Sequence, residues 1–168
     1  MESIPIYKVV VAGDGNVGKT SLVRRYSEGR FETARKATIG VDFQTKVVAL
    51  PGGAVKLSIW DLAGQARFKP VRAAFYRGSR ATALVFDLTV VQSLVDLYRW
   101  YLEIVRILPG QQFLLVGNKA DLPHKDCEWA GERFARMVGG NYLKTSALTG
   151  EGVERMFKEL ARLASSDQ

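Results

Sequence analysis

The chain has 168 residues, 47% of them hydrophobic and 24% charged, and its formal net charge is +7. This apolar fraction is too high for a disordered chain and the length is typical of one domain, so we expect a single domain over residues 1–168. Cys127 and His124 are the only cysteine and histidine, which excludes a disulfide scaffold or a Cys/His zinc site and favours a reducing compartment. No apolar run approaches the roughly 20 residues that a membrane-spanning helix needs.

Short apolar runs alternate with segments of helical periodicity along the chain. All-apolar runs at 9–12, 83–86 and 113–116 predict strands buried on both faces of a parallel sheet. Two alternating segments on either side of Pro51-Gly52-Gly53 predict a hairpin, and residues 142–143 predict a weaker last strand. Apolar residues three and four apart predict helices over 94–108 and 153–164. The order predicts an α/β fold with a mostly parallel sheet and one antiparallel edge strand.

A glycine-rich loop follows the first predicted strand and precedes a helix-compatible segment. The pattern G-x-x-x-x-G-K-[ST] matches the run Gly13-Asp14-Gly15-Asn16-Val17-Gly18-Lys19-Thr20, which Ser21 follows. Glycines let the backbone curl until its N–H groups point at phosphate oxygens, and the positive end of the next helix faces the same anion. We expect these residues to bind phosphate, with Lys19 on the β- and γ-phosphates and the Thr20 hydroxyl on Mg²⁺. ATPases use this loop too, so it does not name the base.

A second polar motif, Asn118-Lys119-Ala120-Asp121, follows the predicted strand that ends at Val116. Ligands of α/β sheets bind outside the carboxyl ends of the strands. The Asp121 carboxylate can accept hydrogen bonds from N1–H and the exocyclic amine of guanine, whereas adenine would leave it unpaired. Because rejection of that kind discriminates by about 10⁴–10⁵, the two motifs together predict a guanine-nucleotide site.

Further segments, together with the two motifs above, occur in the same order and at the same spacing as in a known protein family. They are Ile39-Gly40-Val41-Asp42-Phe43, residues 56–68 (KLSIWDLAGQARF), residues 75–79 (FYRGS), residues 84–89 (LVFDLT) and Thr145-Ser146-Ala147. With them the chain resembles the Ras superfamily of small GTPases, and most of all its Rab branch, from about Tyr7 to Ala164. The resemblance implies a three-layer P-loop GTPase fold, with a six-stranded sheet and about five helices.

The resemblance also implies an activity, which is Mg²⁺-dependent hydrolysis of GTP to GDP and phosphate. Such proteins cycle between a GTP-bound active and a GDP-bound inactive form. Two segments respond to the γ-phosphate and bind partners: switch I, which contains Thr38, and switch II, which follows Asp61. The implied partners are an exchange factor, a GTPase-activating protein and effectors. Leu62 and Ala66 replace a usual threonine and glutamate, so partner recognition at switch II is expected to differ from that of typical Rab proteins.

Individual residues take roles from the same resemblance. The implied metal ligands are Thr20, Thr38 and, through a water, Asp61. Thr38 and the Gly64 amide are expected at the γ-phosphate, and Gln65 is expected to orient the attacking water. The implied guanine-binding residues are Phe31, Asn118, Lys119, Asp121, Ser146 and Ala147.

Simpler interpretations exist for several of these residues. Phe31 could be a core aromatic and Gln65 a solvated loop residue. Trp60 could be exposed for partners or packed under the switch, whereas Trp100 and Trp129 are expected to be packing residues. For the whole chain, the alternative to an enzyme is a nucleotide-binding interaction module with negligible turnover. The basic composition alone suggests nucleic-acid binding, but no recognisable nucleic-acid motif accompanies it.

The charge surplus is concentrated around the two switches. Residues 24–36 carry a net +3 and residues 61–80 a net +4, while the remaining residues balance. We expect a basic switch face, with Arg72 and Arg77 in it, that an acidic regulator or effector would complement. We expect a cytoplasmic monomer that binds no nucleic acid. No cysteine stands at the C-terminus, so this chain has no lipid anchor there. Either a C-terminal tail has been removed or the protein is a relative without an anchor. Membrane association remains open.

Arg35 supports a hypothesis of its own, because it stands three residues before Thr38 where many Ras-like proteins have a tyrosine. Heterotrimeric Gα proteins place their catalytic arginine at the same offset. Either Arg35 is an arginine finger in cis or it is a solvated arginine. A finger would bring turnover towards about 10⁻² s⁻¹, against about 3–5 × 10⁻⁴ s⁻¹ for intrinsic Ras hydrolysis. Single-turnover hydrolysis by Arg35→Ala would then be clearly slower than by the wild type, and equal rates would reject the finger.

Overall fold

The computed structural model describes residues 3–31, 38–125 and 127–167, which form six strands and five α-helices. In chain order they are β1 Ile6–Ala12, α1 Lys19–Glu28, β2 Val41–Leu50, β3 Gly53–Leu62, α2 Lys69–Tyr76, β4 Ser79–Asp87, α3 Val91–Ile107, β5 Gln112–Asn118, α4 Glu128–Met137, β6 Asn141–Lys144 and α5 Val153–Ser165. A single 3₁₀ turn, Ala66–Phe68, precedes α2.

All six strands belong to one sheet, in the order β2-β3-β1-β4-β5-β6. Only the pairing of β2 with β3 is antiparallel, and every other neighbouring pair is parallel. The predicted mostly parallel sheet with an antiparallel edge strand is therefore confirmed. The predicted hairpin is also present, since Leu50 lies opposite Gly53 across a two-residue turn.

Helices cover both faces of the sheet and bury it. Along β1, Val9 and Val11 belong to a buried cluster that includes residues of α1 and α5. Val10 and Ala12 belong to a second cluster on the other face, which includes residues of α2, α3 and α4. This double burial is why β1 is apolar at consecutive positions rather than alternating. The result is the three-layer arrangement that the family resemblance implies.

Helix α4 meets the sheet through small residues. Gly131 and Ala135 are its buried residues, and a Cβ atom on Gly131 would lie 2.8 Å from Cε2 of the Tyr142 ring. Trp129 lies on the outward side of this helix and is 62% exposed. The expectation that Trp129 is a packing residue was therefore wrong, whereas Trp100, 5% exposed, is packed as expected.

This topology places several chain segments at one edge of the sheet. The phosphate loop follows the carboxyl end of β1, and switch II follows β3. The Asn118 motif begins at Asn118, the last residue of β5. Thr145 follows β6 at the same edge. Because the carboxyl ends of parallel strands share an edge, residues far apart in the sequence converge there.

A core substitution tests this packing. Phe157 on α5 is fully buried and stacks on Tyr26 with 4.3 Å between ring centroids. Phe157→Ala should lower the free energy of unfolding by about 3–5 kcal/mol, because it removes buried apolar surface and leaves a cavity. Trp129→Ala, on an exposed side chain, should change it by less than about 1 kcal/mol. Urea denaturation of both variants measures the difference, and similar costs would contradict the assigned burial.

Candidate functional site

The backbone of the phosphate loop is pressed against its neighbours. Gly13 has φ 144° and a Cβ atom there would lie 2.2 Å from the Val85 carbonyl oxygen. Gly18 has φ 98° and a Cβ atom there would lie 2.3 Å from Nδ2 of Asn118. Neither position can hold a side chain, so the two glycines are needed both for backbone conformation and for close approach. Asn16 adopts φ 66°, a left-handed conformation that asparagine tolerates better than most residues.

Lys19 is the buried cation of the site, 6% exposed at the start of α1. Its Nζ donates to the backbone carbonyl of Asp14 at 2.7 Å. Burial lowers the pKa of Lys19 to about 8, and the carboxylates of Asp61 and Asp14 oppose that shift. An anion next to this ammonium group would favour its charged form in the same way.

Three oxygen-bearing side chains meet beside Lys19. The hydroxyl of Thr20 donates to Oδ2 of Asp61 at 2.5 Å and lies 2.6 Å from the hydroxyl of Thr38. Asp61 is 2% exposed, and its second oxygen, Oδ1, has no hydrogen-bond partner among the residues described. Burial raises the pKa of Asp61 to about 6, against the effects of Thr20 and Lys19. Hard oxygen donors with one unsatisfied buried carboxylate oxygen are a set that fits Mg²⁺.

The Asn118 motif is tied to the phosphate loop by side-chain hydrogen bonds. Asn118 donates to the carbonyl of Val17 at 2.9 Å and accepts from the Thr145 hydroxyl at 3.0 Å. The Nζ of Lys119 donates to the Asn16 carbonyl at 2.8 Å and pairs with Asp87 at 2.9 Å. The two motifs that the sequence analysis paired therefore form one rigid unit.

The last base-contact motif is held from two sides. The hydroxyl of Ser146 donates to Oδ1 of Asp121 at 2.7 Å. Arg25 of α1 donates to the carbonyls of Ala147, at 3.0 Å, and of Leu148. A third N–H of Arg25 donates to the Gly29 carbonyl at the end of α1, at 3.1 Å.

A cavity of about 300 Å³ lies between these segments. Most of the predicted site residues line it, namely Gly15, Asn16, Gly18, Lys19, Thr20, Ser21, Phe31, Thr38, Gly64, Gln65, Asn118, Lys119, Asp121 and Ala147. The predicted residues that lie in the same segments without lining it are Gly13, Asp14, Val17, Asp61 and Ser146. Arg35 lies outside the described residues. Phe31 packs against the core, as one interpretation of this aromatic has it, and it also lines the cavity. Its contact with a base stays a prediction.

Four lining residues were missed by the sequence analysis: Arg24, Leu62, Leu122 and Leu148. Each had a signal. The three leucines directly follow predicted site residues, and Arg24 lies one helical turn after Thr20 on α1, so helical spacing places it on the same face.

Switch II lies directly on the phosphate loop. A Cβ atom on Gly64 would come within 2.3 Å of the Gly15 nitrogen, so glycine alone fits there. The Cγ atom of Gln65 lies 3.9 Å from the position that a Cβ atom on Gly15 would take. The Oε1 atom of Gln65 is buried and has no hydrogen-bond partner in the described part of the chain. The side-chain amide is therefore placed where it can act on a ligand at the loop.

The expected basic face at switch II needs a correction. Arg72 is only 5% exposed, because its guanidinium forms a two-pronged pair with Glu103 at 3.1 and 3.0 Å. Arg80 is half-buried and donates to carbonyls at the end of α5. Arg67, Lys69 and Arg77 are exposed. The basic surface at switch II is thus smaller than the residue count implies.

The fold and the site define a P-loop nucleotide-binding protein of the α/β class. The sequence profile of the Ras family matches residues 8–166, and the chain belongs to this family. It is 40% identical to Ras-related protein Rab-30 of Homo sapiens, over 93% of this chain and 78% of that protein. It is 41% identical to Ras-related protein Rab-4 of Dictyostelium discoideum, over 94% of this chain and 80% of that protein. These similarities confirm the resemblance to Rab-like GTPases.

Among the residues described, no helix has the length and apolar character required to cross a membrane.

The Arg25 contacts predict an effect on nucleotide release. Arg25→Ala would free the Ala147 loop, so GDP should dissociate about tenfold faster, as expected for the loss of charged hydrogen bonds. Arg162→Ala is the matched control, because the exposed Arg162 side chain pairs with Glu159 on its own helix and, among the described residues, holds no loop of the site. Release of a fluorescent GDP analogue measures both rates. Equal release from Arg25→Ala and the wild type would show that Arg25 does not hold the loop.

Proposed function

We propose that this protein is a GTP-binding and GTP-hydrolysing molecular switch of the Rab-like type. The observation that carries the proposal is the convergence of Thr20, Thr38 and Asp61 beside Lys19, next to a cavity that Asp121 also lines. We call the Lys19 side of this cavity the phosphate end and the Asp121 side the base end. A metal-triphosphate and a guanine base would use the two ends together. Membership of the Ras family supports the same function.

The base end would select guanine by hydrogen bonding. Ser146 orients the Asp121 carboxylate, whose remaining acceptor positions would face N1–H and the amine of the ring. Lys119 is held in a left-handed conformation, with φ 66°, between Asn16 and Asp87, so its stem can cover one face of the ring. Phe31 would pack against the ring as well. Adenine would leave the Asp121 carboxylate unpaired, and a site of that kind rejects the wrong ligand strongly.

The phosphate end would bind charge. Loop amides and Lys19 would contact the β- and γ-phosphates, and Thr20, Thr38 and, through a water, Asp61 would hold Mg²⁺. When bound, Mg²⁺ supplies positive charge to the phosphate oxygens. Lys19 cannot leave this position easily, because the Asp14 carbonyl fixes its Nζ. The resulting preorganised charges would stabilise negative charge that develops in the transition state.

Gln65 would position the attacking water. Its buried Oε1 accepts no hydrogen bond from the described residues, so it can accept one from a water in line with the γ-phosphorus. Attack by that water forms one P–O bond while the bond to the leaving GDP oxygen breaks. Positioning of this kind is the main contribution a protein makes to phosphoryl transfer. Arg35 lies outside the described residues, so its role as an arginine finger in cis stays a prediction.

Loss of the γ-phosphate would be communicated to partners through the two switches. Thr38 and Gly64 are the residues expected to depend on that phosphate, and the Ala63 amide donates to the Gly40 carbonyl at 2.9 Å. This bond continues the β2–β3 ladder, so switch I and switch II are joined. A change at either switch would reach the other.

Aromatic side chains beside the switches offer a surface for regulators and effectors. Phe43 meets Trp60 edge-on at 4.9 Å, and Trp60 lies 6.0 Å from Phe75. Phe43 is 56% exposed and the neighbouring Ile39 is 79% exposed. Exposed apolar groups of this kind mark protein–protein contact sites, and the exposed Arg67, Lys69 and Arg77 would favour acidic partners. Exchange factors, GTPase-activating proteins and effectors are the partner classes that the family implies.

Phosphate release tests the proposal. With Mg²⁺, the wild type should release phosphate from GTP and not from ATP, and chelation of the metal should stop the reaction. Gln65→Leu should bind GTP as the wild type does but hydrolyse it about tenfold more slowly or worse, because the water loses its orienting group. Tight GTP binding with negligible hydrolysis by the wild type would instead support the alternative, a nucleotide-binding interaction module.

A further inference from the structure

Switch II is anchored to α3 by a buried polar cluster. We call Arg72, Tyr76, Trp100 and Glu103 the switch II anchor. Arg72 and Tyr76 lie one helical turn apart on α2, and Trp100 and Glu103 lie one turn apart on α3. All four are buried or largely so, and both Arg72 and the Tyr76 hydroxyl donate to the Glu103 carboxylate.

Within this anchor, the Arg72 guanidinium is fixed on three sides. Two of its nitrogens bind the two Glu103 oxygens at 3.1 and 3.0 Å. Its flat face lies over the Trp100 ring, with 4.1 Å from Cζ to the ring centroid. The third nitrogen, Nη1, donates to the backbone carbonyl of Gln65 at 3.2 Å. A planar fork held by a carboxylate and an aromatic ring has little freedom, so the carbonyl it binds is held as well.

The Gln65 carbonyl is also the point where the 3₁₀ turn begins. It accepts the Phe68 amide at 3.1 Å in addition to Arg72. The backbone of Gln65 is thus held by its own turn and by a second element, while its side chain lies over Gly15 of the phosphate loop. A rotation of this turn would move the side-chain amide away from the loop.

The anchor reaches the phosphate loop directly. The indole N–H of Trp100 donates to Oδ1 of Asp14 at 2.9 Å. Burial raises the pKa of Asp14, and the nearby Asp96 carboxyl on α3 acts in the same direction. The edge of the Trp100 ring contacts the phosphate loop, and the face of the same ring contacts Arg72. A chain of contacts through α3 therefore links the Gln65 carbonyl to the phosphate loop, by way of Arg72 and Trp100.

We infer that Arg72 is a positioning residue for hydrolysis, which holds Gln65 in register with the phosphate loop through Glu103 and Trp100. The inference rests on the proposed function, because it assigns Gln65 the attacking water. Arg72 is not among the residues that line the cavity. Its positive charge helps to lower the pKa of Lys19, but Glu103 lies against that charge and balances it. A loss of Arg72 together with Glu103 would therefore affect the rate and leave the binding of GTP unchanged.

The test replaces Arg72, the hydrogen-bond donor to the Gln65 carbonyl, without leaving the Glu103 carboxylate buried and unpaired. Arg72→Ala would strand the Glu103 carboxylate and could prevent folding. The double variant Arg72→Met/Glu103→Gln removes both charges, keeps the stem against Trp100 and leaves an oxygen for the Tyr76 hydroxyl. Arg77→Met is the matched control, since Arg77 directly follows α2 and is exposed. Each variant is made in the wild-type and in the Gln65→Leu background.

Single-turnover GTP hydrolysis and GTP affinity are the measurements. The double variant should hydrolyse about tenfold more slowly, as expected when an orienting hydrogen bond is lost, with GTP affinity within about twofold of wild type. In the Gln65→Leu background the same change should alter the residual rate by less than about twofold, because the residue through which Arg72 acts is already gone. Arg77→Met should match its parent in both backgrounds.

Several outcomes would overturn the inference. A wild-type rate in the double variant would show that the Arg72 bond does not matter for hydrolysis. An undiminished slowing in the Gln65→Leu background would show that Arg72 acts elsewhere, and a parallel loss of GTP affinity would show general damage to the site. If the wild type itself did not hydrolyse GTP, the proposed function would fail first and this inference with it.

Discussion

A buried ammonium group sets the conditions for the rest of the site. Lys19 is almost fully enclosed, and enclosure of an unpaired cation is costly. The chain offsets this cost with the Asp14 carbonyl and with the negative charge of Asp61 nearby. A polyanion would complete the compensation, which is why the strand ends, the glycines and the threonine hydroxyls all converge on this point. The surrounding fold excludes water from the Lys19 ammonium group and fixes its position.

The same convergence joins parts of the chain that are far apart in sequence. Asn118 and Lys119 hold the phosphate loop from the base side, and Asp14 connects it to α3. The β2–β3 ladder joins the two switches. The phosphate loop therefore lies at the centre of these contacts. The Asn118 segment and α3 are bonded to it by different side chains.

The sequence was informative where its signal is local and repetitive. The hairpin around Pro51 and the helix 153–164 follow from alternation and from helical spacing, and both are present. Helices α2 and α4 gave no such signal. The residues that α2 buries are Arg72 and Tyr76, and α4 faces the sheet through Gly131 and Ala135. Polar or small residues on a buried face leave no hydrophobic periodicity to detect.

The site, like the fold, has parts that a local sequence signal predicts and parts that it does not. The two motifs predicted the lining residues of the phosphate loop and of the Asn118 segment, because glycine, lysine and threonine have specific tasks in a phosphate loop. The lining residues Phe31, Thr38, Gly64, Gln65 and Ala147 came from the family resemblance instead. The partners of Arg72 could not be found in that way, since Glu103 is remote in sequence and a count of charges does not reveal which of them pair. Arg25 was overlooked for a similar reason, because its acceptors are backbone carbonyls that any residue could provide.

The three tryptophans are distributed so that each reports on a different environment. Trp60 lies between the switches, with the Lys8 ammonium 3.6 Å from its ring centroid, and Trp100 carries the Arg72 guanidinium on its face. Trp129 is largely in water on the outer side of α4. Indole emission depends on nearby charge and on solvent. The chain therefore contains its own fluorescent reporters: Trp60 and Trp100 lie near the two switch segments, and Trp129 is remote from them.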